Sequence, residues 1–90
     1  MIKFSPPTGK LIKSVSVARS DEHVFLLEGG YCNRAAAQLR FPGHYGLNPA
    51  GHPHSAFSGR ETIILAVFTG EPDDAREFDV IDLLPSGAKL

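Results

Sequence analysis

Glycine or proline interrupts this chain so often that no long element fits between the breaks. Nine glycines and seven prolines fall within 90 residues. Proline removes a backbone donor and glycine costs conformational entropy, so neither suits a helix interior. The short runs between them either alternate or are rich in β-branched and aromatic residues, which is the pattern of strands. From Lys13 onward Leu11–Ala18 alternates, with Val15 and Val17 on one side and Ser14 and Ser16 on the other. Glu22–Cys32 carries Val24, Phe25, Leu26 and Leu27 and is closed by Gly29-Gly30. Ala35–Phe41 holds three alanines but reads as strand, because Pro42-Gly43 leaves no room for a helix of ordinary length. Tyr45–Asn48 is a short strand entering a corner at Pro49. Glu61–Thr69 has the strongest strand character, and Phe78–Leu84 supplies a last strand before a tail at Pro85–Leu90. Glu71–Glu77 reads as a charged loop or a single helical turn capped by Glu71 or Asp73. Six or seven short strands predict one all-β domain over 1–90, with its core over about 11–84, folded as a sandwich or small barrel.

Composition narrows the function classes. The formal net charge is −1 and the lysines and arginines are scattered, so there is no electrostatic footprint for nucleic acid or an anionic membrane. Ile63–Phe68, the longest apolar run, is too short to cross a bilayer as a helix. Met1–Phe4 runs straight into Ser5-Pro6-Pro7, unlike a signal peptide. Cys32 is alone, which excludes an intrachain disulfide and fits a half-buried structural thiol. A soluble protein of the reducing cytoplasm is expected. Phosphate loops, Ser–His–Asp arrangements and zinc-type cysteine spacings are absent from the sequence, and Asp73-Asp74, Asp79 and Asp82 read as solvated faces.

The chemistry concentrates in two segments. Gly43-His-Tyr-Gly-Leu-Asn-Pro49-Ala-Gly51-His-Pro-His54 places a glycine, a Pro-x-Gly corner and a histidine at fixed offsets before the apolar run 62–68. Glu22 heads the other segment, which stops at Gly29. A carboxylate and an imidazole brought together from neighbouring strands are two-thirds of a hard-metal site.

Together these segments resemble the motifs of the cupin superfamily. Its second motif runs Gly, five residues, Pro-x-Gly, two residues, His, three residues, Asn; Gly43, Pro49, Gly51 and His54 fall in place, with Ser58 where the asparagine stands. The first motif ends with Glu, six residues, Gly, which Glu22 and Gly29 match. The segments Leu26–Gly30 and Asn48–His54 look most similar to the branch holding zinc-binding anti-sigma-factor domains and acetylacetone-dioxygenase-like enzymes. The resemblance covers about 11–70 and implies a small jelly-roll barrel, shortened at its N-terminus. It departs at the family's His-x-His, whose positions are taken by Ser16 and Ala18, or by Val15 and Val17. Glu22 and His54 are the surviving members of the four-ligand set the resemblance implies.

Histidines elsewhere could complete a relocated site. His52 and His54 form a His-x-His whose alternation aims both at one face, with His44 as a candidate fourth ligand. His23 should point away from Glu22. The expected site therefore has Glu22, Tyr45, His52 and His54 as polar contacts, with Phe25, Leu27, Ile64 and Phe68 as apolar walls. Glu22, His52 and His54 would hold a divalent metal such as zinc, iron, nickel or manganese. The leading expectation is a ligand-binding or sensor domain for a small molecule. The alternatives are a metal-dependent dioxygenase or isomerase, and a non-catalytic interaction subunit. The short N-terminus leaves an open sheet edge, which predicts a homodimer formed by edge pairing or by exchange of the first strand.

Overall fold

The computed structural model describes residues 1–83. The Leu84 end of the last expected strand and the tail at Pro85–Leu90 lie outside the described residues. Seven strands are present: β1 (Ile2–Phe4), β2 (Lys10–Val17), β3 (Glu22–Glu28), β4 (Tyr45–Asn48), β5 (Pro53–Ser58), β6 (Thr62–Phe68) and β7 (Asp74–Asp82). They form two antiparallel sheets, ordered β1-β6-β3-β4 and β5-β2-β7. Among the described residues no helix is long and apolar enough to cross a membrane.

Four segments differ from the sequence expectation, the first being Ile2–Phe4, a short strand paired with β6 where the sequence reading has none. Pro53–Ser58 is a strand although it carries few large apolar residues. It lies at a sheet edge and begins with proline, the position where a missing donor is tolerated. Asp74–Glu77 is strand rather than loop, because β2 offers it a ladder from Val15 to Val17 and nearby cations pair with its acids: Lys13 Nζ lies 3.1 Å from Glu77, and Arg19, just beyond β2, lies 3.4 Å from Asp74. Ala35–Phe41 is not a strand. Asn33 accepts from the backbone N–H groups of Ala35 and Ala37, at 2.9 and 3.0 Å, and so closes a local turn. Ala36 takes a left-handed φ of 66° there, and pairing is reduced to bridges from Cys32 to Gln38 and Phe57.

Strand parity decides what faces inward. Leu26 pairs with Ile64, and Ile12 lies opposite them on the other sheet; with Phe4 these residues form the core, against which Val24, Tyr31 and Ala66 pack. Glu22 pairs with Phe68 at the other end of the same strand pair. It stands four residues from Leu26, roughly 13 Å at strand rise. The core therefore closes one end of the sandwich and leaves a cavity of about 620 Å³ toward the other. Gly29 seals the core end. It sits at φ +73°, and a Cβ there would fall 2.1 Å from the Glu61 carbonyl oxygen. Only glycine fits both constraints.

Candidate metal and ligand site

Three side chains from three parts of the chain converge in the cavity. Glu22 opens β3, His54 lies near the start of β5, and Asp73 immediately precedes β7. Each offers one ligand atom, and these atoms lie within 4.8 Å of one another. The Pro49–His52 turn sets the position of His54. Gly51, at φ +84°, donates to the Ala18 carbonyl at 2.7 Å, and Ala18 donates back to His52 O at 3.2 Å. That clamp fixes the register in which His54 pairs with Ser16, on the pocket face of β2. The Pro-x-Gly corner thus aims the imidazole.

His54 Nε2 lies 2.6 Å from Asp73 Oδ2 and 3.5 Å from Glu22 Oε1. One nitrogen faces two carboxylates, so its single N–H satisfies only one of them at a time. Asn48, the register partner of Glu22, donates from Nδ2 to Glu22 Oε1 at 2.8 Å. Burial, opposed by this Asn48 bond and reinforced by the nearby charge of Asp73, raises the Glu22 carboxyl above its ordinary 4.5. Burial, with the Glu22 charge as a lesser cause, pushes the Tyr31 hydroxyl up to about 12. Asp73 Oδ1 is buried and has no hydrogen-bond partner among the described residues. An anionic oxygen withdrawn from water without a partner is costly, and a cation would satisfy it.

Glu22 and His54 are thus brought together, whereas His52 and His44 stand apart. His52 is exposed and precedes β5, so the alternation expected to align it with His54 has not yet begun. His44 borders the cavity near its core end, where its carbonyl accepts from Leu26 N–H and its Nδ1 accepts from Phe41 N–H at 3.2 Å. Tyr45 also borders the cavity, but its hydroxyl is hydrogen-bonded to His23 Nδ1 at 2.6 Å on the outer face. Ile64 and Phe68 line the cavity as expected walls. Phe25 and Leu27 do not. With Glu22 inside, alternation turns Val24 and Leu26 inward and Phe25 outward, and a bulge follows Leu26. Asp73, read from sequence as solvated, is the member that reading missed. The available signal was the adjacency of two aspartates: on an extended segment they face opposite ways, and Asp74 takes the outer side with Arg19 and Arg76.

Compared with known proteins, the chain matches no family model, no curated protein and no solved structure.

Proposed function

We propose that this protein is a small ligand-binding domain that holds a divalent cation between Glu22, His54 and Asp73 at the end of its cavity. The observation that carries the reading is Asp73, whose Oδ2 lies 2.6 Å from the His54 imidazole beside the buried Glu22 carboxyl and whose Oδ1 is buried without a hydrogen-bond partner among the described residues. Two carboxylates and one imidazole form a donor set suited to manganese, iron or zinc. Three protein ligands leave coordination positions open toward the cavity, where a small molecule reaches the cation. The unfilled space between the sheets favours this reading over an interaction subunit with a solid interior.

The strand order supports a cupin-like jelly roll, of which seven strands are described. An eight-stranded roll has two four-stranded sheets built from two Greek keys. The order β1-β6-β3-β4 facing β7-β2-β5 matches seven positions of that arrangement, the eighth lying beside the free edge of β7. The site also retains the two motif residues Glu22 and His54, with Asp73 supplying a ligand where the His-x-His is absent.

Titration calorimetry with Zn²⁺ and Mn²⁺ on the metal-stripped protein tests the reading. One ion per chain should bind in the wild type, and at least tenfold more weakly in Glu22→Gln and in His54→Ala. Binding of neither ion, or equal binding in all three proteins, would refute it.

A further inference from the structure

The outer face of the four-stranded sheet carries an apolar surface that none of the described residues covers. Strand register places it without ambiguity. Tyr45, Phe25 and Leu65 are direct partners across β4, β3 and β6, and Leu47, His23 and Val67 form the next row. Leu27 extends the patch at the bulge. Its six large apolar side chains are 38–53% exposed. Phe25 and Tyr45 pack with ring centroids 5.2 Å apart, and Tyr45 stacks on His23, so the surface is already ordered. The two rows contain no lysine, arginine, aspartate or glutamate. Lys3 and Glu61 form an ion pair at 3.5 Å beyond β6.

We infer that this face is a homodimer interface in which two copies pack sheet on sheet about a two-fold axis. An isologous contact must be complementary to itself, and a flat, uncharged apolar grid meets that condition where a charged surface does not. The exposed part of the six side chains amounts to on the order of 500 Å² per copy. With its rim, such a contact reaches roughly 1,000–1,200 Å² in total, the lower bound of specific interfaces. Patches of this size on soluble proteins mark interaction sites. Edge pairing fits less well. The free edge of β7 is highly charged, with Asp74, Glu77, Asp79 and Asp82 beside Arg76, and three of these acids are already paired within the chain with Arg19, Lys13 and Lys10, a composition that discourages edge pairing. The contact lies on the outer face; Tyr45 and Leu47, on the edge strand β4, also border the cavity, but Glu22, His54 and Asp73 take no part in it, so it does not depend on the cation reading.

Sedimentation analysis of the 1–90 chain across a concentration series tests the inference. A reversible dimer with a micromolar dissociation constant is expected. Leu65→Lys and Leu47→Lys, each on an exposed side chain, should weaken it at least 100-fold while the strand spectrum by circular dichroism is kept. Hydroxyl-radical labelling of the wild type provides a readout that needs no variant: Phe25, Tyr45 and Leu47 should become protected as concentration rises. A wild type that stays monomeric at 100 µM would overturn the proposal. So would a dimer that survives both substitutions, or one whose formation leaves those three residues equally labelled.

Discussion

Asp73→Asn separates a cation site from an ordinary hydrogen-bond network. The buried Glu22 and half-buried Asp73 carboxylates, with ligand atoms within 4.8 Å, repel each other when both are ionised. At an effective dielectric of about 20 that repulsion is roughly 3 kcal/mol. Asparagine removes the charge, and its amide oxygen still accepts from His54 Nε2, so the bond that orients the imidazole survives in neutral form. The metal-free variant should therefore be at least as stable as the metal-free wild type, by up to about 2 kcal/mol once the weaker bond to His54 is set against the relieved repulsion. With cation the order reverses. A free ion at 100 times its dissociation constant adds about 2.7 kcal/mol to the wild type, which in a domain of this size raises Tm by roughly 10–20 °C. The variant has lost one of three ligands and should gain no more than a few degrees. Thermal unfolding followed by circular dichroism, with chelator and then with Zn²⁺ or Mn²⁺, measures all four values. A wild type indifferent to the ion, together with a variant more than 3 kcal/mol less stable in chelator, would show that Asp73 serves only to brace His54.

Further outcomes follow from the same geometry. Burial, then the Asp73 charge, raises the folded pKa of Glu22 above its unfolded 4.5, so folding favours the protonated form. The stability this residue contributes is complete below about pH 4.5 and is lost as pH rises through the folded value; in chelator, Glu22→Gln should flatten the decline measured by urea unfolding between pH 4 and 8. An unchanged pH slope would reject the assigned cause. Gly29→Ala meets both a left-handed φ and the Glu61 carbonyl oxygen and should cost about 3 kcal/mol or more, read as a drop in the urea midpoint. Gly46 pairs with Val24 on the cavity side, and a Cβ there meets nothing within 4 Å. Gly46→Val should raise stability by about 1 kcal/mol through strand propensity and burial; a loss would mean the cavity wall lies elsewhere. Thr62 is fully buried, accepting from Gly30 N–H at 3.2 Å and donating to Gly30 O or Arg60 O. Thr62→Val should cost about 1–3 kcal/mol in the same assay by leaving Gly30 unpaired.

Much of the architecture was legible before any coordinates. The all-β class, β2, β3, β4 and β6, and the Pro49 corner follow from glycine and proline spacing and from β-branched runs, since these act locally on the backbone. β5 was not legible. Pro53–Ser58 has little apolar pattern of its own and is strand because β2 offers it a ladder. The opposite error at Ala35–Phe41 arose because the Asn33 side chain captures backbone donors that a strand would need. Two of the four expected walls, Phe25 and Leu27, do not line the cavity, and the sequence held the answer: an inward Glu22 commits Val24 and Leu26 to the interior and Phe25 to the outside.

The amino-acid sequence alone pointed to the pairing of Glu22 and His54, through short-range turn chemistry that fixes where each strand begins. Tertiary structure alone decided that Asp73 joins this pair and that His52 and His44 stand apart from it. Which distant residue reaches a given atom depends on how β7 is laid against β2 and on which side each strand turns. No local pattern encodes that, because it is settled by the packing of one sheet on the other.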